Sequence, residues 1–222
     1  MNEKISIRMS GLGGQGVVTA AHIIGAAAFR DNLQVMVNPF FGAEKRLAPA
    51  ESYVRISSEP IYERGEVLYP NIIMIFHSHV ITMGKCYTMP FFDGLQPGGI
   101  VLINAAEPLD LDKENLDNLQ RLQAKIYYVP ATEVAKQISG TELSTNIAML
   151  GGLYGIRQIT SLEALEGSML ERFGGGKFVA SGTTAALDEA VKEKFGKVSQ
   201  MVEKNMEIVR KAGDSLLAQS FS

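Results

Sequence analysis

The stretch "GLGGQGVV" at residues 11–18 comes directly after the apolar run "ISIRM" (5–9), and its reading decides the fold. It sets G-x-G-x-x-G at Gly11, Gly13 and Gly16, where a strand over 4–10 turns into a helix over 15–31. Val17, Val18, Ala21, Ile24 and Ala28 recur at helical spacing and form the face that packs on a sheet. A strand–glycine loop–helix junction leaves backbone N–H groups pointing outward, which is an anion site by construction. The same glycines also let a helix and a strand pack closely, and both readings stay open at this point.

The residues beyond the loop narrow the choice. A dinucleotide fingerprint requires an acid at the tip of the second strand to bind the ribose hydroxyls. Here that strand, 33–38, leads into "VMVNPFF" with no acid at its end, and Asp31 precedes it. A phosphate loop of the Walker type is excluded, because "GLGGQGVVT" has no lysine where one is required. "PFFGAEKRLAPA" (39–50) reads as a loop framed by Pro39 and Pro49. "ESYVRIS" (51–57) alternates polar and apolar residues, as a half-buried or edge strand does.

Further along, "PNIIMIF" (70–76), "IVLIN" (100–104) and "KIYYV" (125–129) are apolar runs suited to parallel strands buried on both faces. A helical segment ending near 93–99 separates the first two, and a helix from Ala131 succeeds the third. This alternation predicts an α/β fold: a doubly wound, mostly parallel sheet flanked by helices. The last third is helix-like, over 144–159, 161–173 with Ser161 as its N-cap, and 183–213. "FGGGK" (173–177) is a flexible break. The division expected is an α/β domain over 1–180 and a helical extension over 181–222, packed on the domain or on a partner.

The chain has 222 residues, 46% hydrophobic and 20% charged, with a net charge of −3. No global basic field recruits nucleic acid or an anionic membrane surface. Its one cysteine, Cys86, excludes an intrachain disulfide and any cluster or zinc site held by four thiolates. Cys86 reads as a small buried hydrophobe, with a catalytic thiolate beside His77 and His79 as the alternative. His22 reads as a packing residue within its helix. "HSH" (77–79) reads as an N-cap at Ser78 with the histidines in polar loop contacts. No secretion signal and no membrane-spanning run stand out, so a cytoplasmic location is expected.

"GLGGQGVVTAAHIIGAAAF" together with "NPFFGAEKRLAPAESYVRIS" resembles the gamma subunit, or gamma domain, of the 2-oxoacid:ferredoxin oxidoreductases. The second element of that pattern is carried by Phe41, Gly42, Ala43, Glu44, Lys45 and Arg46. Many members place a small residue after the arginine, and Leu47 departs from this. "NIAMLGGL" resembles the family's Asn-x-x-x-Leu-Gly helix start, at Asn146, Leu150 and Gly151.

The resemblance implies a hetero-oligomeric complex that oxidises a 2-oxoacid to acyl-CoA using thiamine diphosphate with Mg, 4Fe–4S clusters and CoA. The clusters and most thiamine contacts would lie on alpha, beta and ferredoxin-like delta subunits, with ferredoxin or a flavin/NAD subunit as acceptor. It implies no catalytic residue and no metal ligand on this chain, and no cofactor held tightly by this chain alone. The cofactor-facing residues it points to are Gly11, Gly13, Gly14, Gln15, Gly16, Phe41, Gly42, Glu44, Lys45, Arg46 and Asn146. Two alternatives stand beside it: an independent NAD(P)-binding oxidoreductase, and a subunit with a purely structural role in assembly.

Overall fold

The computed structural model describes residues 4–41, 48–174 and 185–219, leaving aside the side chains of Phe41 and of residues 185–195. Among these residues one sheet holds seven strands: β1 (Ile5–Leu12), β2 (Gln34–Phe41), β3 (Pro49–Ser57), β4 (Ile72–Ile75), β5 (Ile100–Asn104), β6 (Lys125–Val129) and β7 (Leu217–Ala218). Their order is β2-β3-β1-β4-β5-β6-β7. Strands β1, β4, β5 and β6 pair in parallel. Strand β3 is antiparallel to both β1 and β2, and β7 is antiparallel to β6. Strand β2 therefore runs with β1, and the predicted mostly parallel α/β sheet is what forms.

The helices are α1 (Val17–Arg30), α2 (His79–Thr82), α3 (Lys113–Arg121), α4 (Ala131–Ser139), α5 (Thr145–Ile156), α6 (Leu162–Gly174) and α7 (Ala185–Asp214). On one face of the sheet, Ile7, Met9, Ile72, Met74 and Leu102 meet α1, α5, α6 and α7 in a single apolar cluster. On the other face, Ile73, Ile75, Val101, Ile103 and Tyr128 pack on Val80, Phe91, Leu95 and Leu119. Period-2 burial on both faces is why "IIMI" and "IVLI" are continuously apolar.

Helix α5 runs through the core with Thr145 to Leu153 all buried. A helix apolar all round must be enclosed, and α7 closes over it with Val202, Met206, Val209 and Ala212. The two backbones meet at Gly151, where an added Cβ would lie 2.4 Å from the carbonyl oxygen of Val209. Only glycine permits that approach.

Three expectations are corrected. Strand β3 is interior rather than half-buried or at the edge, and Ala50 to Ser57 are all buried. Its alternating polar residues are not solvent-facing, because the segments after β3 and α2 cover them. Strand β2 continues through Pro39 to Phe41, which the prolines made look like a loop. An edge strand accommodates Pro39 because its missing donor can face away from the ladder. Finally, only one helical turn, α2, precedes 93–99; most of that stretch is turns.

Ser161 caps α6 as expected, its hydroxyl accepting from Ala164 N at 3.1 Å. Asp31, at the end of α1, holds that cap in turn: its carboxylate accepts from Ser161 N at 2.6 Å and from Ser161 Oγ at 2.8 Å.

Candidate functional site at the carboxyl edge of the sheet

The chain leaves β1 toward β2 and β3 on one side, then returns to β4 on the other side of β1. This makes the carboxyl ends of β1 and β4 the topological switch point, where open α/β sheets place their ligands. The glycine loop sits there. Gly13 N donates to Ala48 O at 2.8 Å, and Gln15 N donates to Leu12 O at 3.1 Å. The Gln15 side chain folds back so that its Oε1 accepts from Leu12 N at 2.9 Å. Gly16 is the N-cap of α1 in the left-handed region, at φ 73°, and among the described residues no side chain caps the helix.

The two readings of the glycines divide between residues. At Gly11 an added Cβ would lie 2.7 Å from Val17 Cγ2 and 2.9 Å from Phe76 Cβ, so Gly11 is a packing glycine. At Gly14, with φ 96°, an added Cβ would meet nothing within 4 Å, and the residue is exposed. Among the described residues, nothing covers the outer half of the loop and no side chain caps the start of α1. Asn146, in the first turn of α5 and 5% exposed, joins this loop from 130 residues away. Its Nδ2 donates to Gly16 O at 3.4 Å. The structure therefore brings together Gly11 to Gly16 and Asn146, two parts of the predicted set.

For the remainder of that set, Gly42, Glu44, Lys45 and Arg46 lie outside the described residues. Phe41 ends β2 opposite Ala50, in the same cross-strand row as Gly11.

Next to the loop, His77, Ser78, Asn104, Thr132 and Glu133 line a cavity of about 190 Å³. Asn104 ties it together: its Nδ2 donates to Phe76 O at 3.0 Å and to Thr132 Oγ1 at 2.9 Å, while its Oδ1 accepts from Thr132 N at 3.3 Å. Sequence reasoning passed over Asn104, although a polar residue closing "IVLIN" was the available signal.

His77 Nδ1 accepts from His79 N at 3.1 Å, which assigns the proton of the neutral ring to Nε2. Burial, then the neighbouring His79 and Lys85, hold its pKa below the usual imidazole value. Ser78 stands at the N-cap of α2 without making a side-chain cap bond. His22 is not a packing residue: it is exposed, and its Nδ1 meets Val18 O at 2.7 Å on its own helix.

A second feature went unseen in the sequence. Glu51 is 0% exposed and Arg8 is 2% exposed, on the sheet face away from α1. The Glu51 carboxylate accepts from Tyr53 Oη at 2.8 Å, from Tyr87 N at 3.3 Å and from Thr88 Oγ1 at 3.4 Å. Arg8 Nη2 donates to Phe91 O at 3.0 Å and to Asp93 O at 2.7 Å. Burial lowers the Arg8 pKa, with the Glu51 charge opposing. Burial, then the bond to Glu51, pushes the Tyr53 hydroxyl far above the usual phenol range. Cys86 lies close by, with Sγ 3.0 Å from Thr88 O. Burial, then the Glu51 charge, pushes its thiol up to about 11, so it is not a thiolate at neutral pH.

Residues 6–186, which span the glycine loop, Asn104 and Asn146, match the family described as Pyruvate ferredoxin/flavodoxin oxidoreductase. The chain belongs to this family.

Among curated relatives, the "Pyruvate/ketoisovalerate oxidoreductases common subunit gamma" of Thermococcus kodakarensis is 34% identical over 171 residues, covering 77% of this chain and 88% of that protein. The "Pyruvate synthase subunit PorC" of Methanothermobacter marburgensis is 35% identical over 171 residues, with the same shares covered. The resemblance to gamma subunits drawn from the two motifs is thus borne out, and the chain is a gamma-type subunit of a 2-oxoacid oxidoreductase.

Solved structures agree on the fold. Pyruvate oxidoreductase subunit PORC of Thermotoga maritima superposes with a TM-score of 0.70 at 21% identity, covering 99% of this chain and 100% of that one. A 2-oxoglutarate:ferredoxin oxidoreductase of Magnetococcus marinus, solved with 2-oxoglutarate, coenzyme A and succinyl-CoA bound, gives a TM-score of 0.61 at 22% identity. It covers 93% of this chain, which matches 32% of that longer one. Among the described residues no helix is long and apolar enough to cross a membrane.

Proposed function

We propose that this gamma subunit forms one wall of the chamber in which a 2-oxoacid is decarboxylated, oxidised and released as acyl-CoA. The outer half of the glycine loop, the uncapped start of α1 and Asn146 would face the CoA diphosphate, with Lys45 and Arg46 as its cations. Thiamine diphosphate with Mg would supply the decarboxylation chemistry and 4Fe–4S clusters the electron transfer, with the clusters and most thiamine contacts on sister subunits. One cysteine cannot hold a cluster. Among the described residues no group of three or more His, Cys, Asp or Glu is placed to hold a metal ion.

The observation that carries this reading is the geometry of residues 13–16. Among the described residues, none comes within 4 Å of a Cβ at Gly14 and no side chain caps the first amides of α1, while Gly16 holds a left-handed turn. Such a turn suits an anion. The chain's own part is to bind and orient the acyl acceptor, so that its sulfur reaches the acyl carbon while water is kept out.

A dinucleotide reading finds less support. Strand β3 lies between β1 and β2, so the end of β2 is two strand spacings, about 10 Å, from the glycine loop. The ribose-binding acid of that mode would have to sit one spacing away. A purely structural role is separated by replacing Lys45 and Arg46 with Ala in the assembled complex. Charge-assisted contacts of about 1.5–3 kcal/mol imply CoA binding weaker by roughly ten- to 150-fold, with the 2-oxoacid KM unchanged. Unchanged CoA affinity in an intact complex would remove the ligand role.

A further inference from the structure

Phe40 and Tyr87 are each 42% exposed, and their rings meet edge to face with centroids 4.8 Å apart at 75°. Together they form a steep aromatic corner open to solvent. The device that holds it is unusual. A buried carboxylate costs several kcal/mol unless its oxygens are bonded, and Glu51 is completely buried. Two of its three bonds, from Tyr87 N and Thr88 Oγ1, go to the segment that carries one ring of the corner. The other ring is fixed from below, because Phe40 faces Glu51 directly across the β2–β3 ladder. The next member of the same row is Ser10, which precedes Gly11. The corner and the glycine loop therefore share one edge of the sheet, about two strand spacings or 10 Å apart along it, with the rings on the face away from α1.

We propose that this corner is the stacking surface for the adenine end of CoA, and that Glu51 is the positioning residue that sets Tyr87 against Phe40. The inference rests on the CoA reading of the glycine loop. Two ring faces at a steep angle hold a flat heteroaromatic ring by its face and its edge. Neither ring carries a charge, so the corner selects for planarity rather than for phosphate.

The test uses the assembled complex and calorimetric binding of desulfo-CoA, with 4′-phosphopantetheine, which lacks the adenosine, as the second probe. Stacking on a protein aromatic is worth about 1–3 kcal/mol by alanine substitution, so Tyr87→Ala weakens desulfo-CoA binding by roughly five- to 150-fold. Phe40→Ala acts in the same direction, and 4′-phosphopantetheine binds both variants as it binds the parent. Glu51→Gln weakens desulfo-CoA binding on its own and adds nothing in a Tyr87→Ala background. Thr88→Val, which removes one bond to the same carboxylate from the outside, supplies this comparison if Glu51→Gln fails to fold.

Equal loss of both probes would overturn the proposal, and so would dissociation of the complex on changing Phe40 or Tyr87, which would make the corner an anchor for a sister subunit. Unchanged desulfo-CoA binding in the ring variants, with loss on replacing Lys45 and Arg46, overturns the corner and leaves the loop reading intact. If neither set of variants alters binding, the CoA reading itself falls and takes this proposal with it.

Discussion

Replacing Gly16 with Ala tests the junction on which the site is built. The residue lies at φ 73°, and a left-handed conformation costs a non-glycine residue roughly 1–2 kcal/mol. Its new Cβ would lie 2.7 Å from Asn146 Nδ2 and 2.8 Å from Asn146 Cγ. Asn146 is 5% exposed and has little room, so it leaves its rotamer at about 0.5–1.5 kcal/mol. The sum is a loss of about 1.5–3.5 kcal/mol. In an Asn146→Ala background the contacts to Nδ2 and Cγ disappear and only that to Cβ, at 3.1 Å, remains, so Gly16→Ala costs close to the backbone part of about 1–2 kcal/mol. Gly14→Ala serves as the control, since its φ is 96° but its Cβ meets nothing within 4 Å; it costs the backbone part alone. Urea unfolding of the purified chain, monitored by circular dichroism, reads all four variants as a double-mutant cycle with one control. Equal costs of Gly16→Ala in both backgrounds would refute the reasoning, as would a Gly14→Ala cost matching that of Gly16→Ala.

Gly151→Ala forces a Cβ to within 2.4 Å of Val209 O, so α5 and α7 must separate; a loss of about 3 kcal/mol or more is expected in thermal unfolding, in the range of core overpacking and above. Asp31→Ala removes the acceptor that holds Ser161 N and Oγ; a loss of about 1–2 kcal/mol and faster hydrogen exchange in the first turn of α6 are expected. Iodoacetamide labelling of Cys86 should be slow at neutral pH and accelerate toward pH 11, because burial keeps the thiol protonated. The folded thiol holds its proton to higher pH than an unfolded one, so its share of stability declines as pH rises from the ordinary thiol value toward about 11. For His77 the sign is reversed. Its folded pKa lies below the ordinary imidazole value, so the stability it contributes falls as pH drops through that window, and NMR titration of the ring should find a depressed midpoint.

Most of the architecture was legible because it rests on local periodicity. The parallel strands announced themselves as unbroken apolar runs, and α1 by its small-residue face. What escaped depends on partners distant in sequence. "ESYVRIS" looked half-exposed because Glu51, Tyr53 and Arg55 are polar, yet Glu51 is bonded by Tyr87 and Thr88, and Arg55 by Gly65 O and Glu66 O. The Glu51 bonds span 36 and 37 residues, beyond any local window, and the Arg55 bonds go to backbone carbonyls that no residue type announces. Strand β7, at two residues, is too short to show any period.

The site divides in the same way. The glycine loop and Asn146 were visible as motifs, and their contact is consistent with that reading. Asn104, Arg8 and the Phe40–Tyr87 corner had no motif, because their roles come from ends of elements brought together by the sheet.

The insertion of β3 between β1 and β2 also bears on how the chain assembles. As the chain leaves the ribosome, β1, α1 and β2 emerge before their common neighbour exists. The two strands cannot pair with each other in native register, because the slot between them belongs to a segment still to come. A nascent chain ending before residue 49 thus carries two unpaired ladders facing one another, the exposed-edge hazard of sheet proteins. The strand that fills the slot brings Glu51 and Arg55 with it, and desolvating their charges is costly until Tyr87, Thr88 and Glu66 are placed to receive them. Closure of this half of the sheet is therefore coupled to the docking of residues 65–93, and the side of the molecule that depends on that docking is the one that bears the aromatic corner.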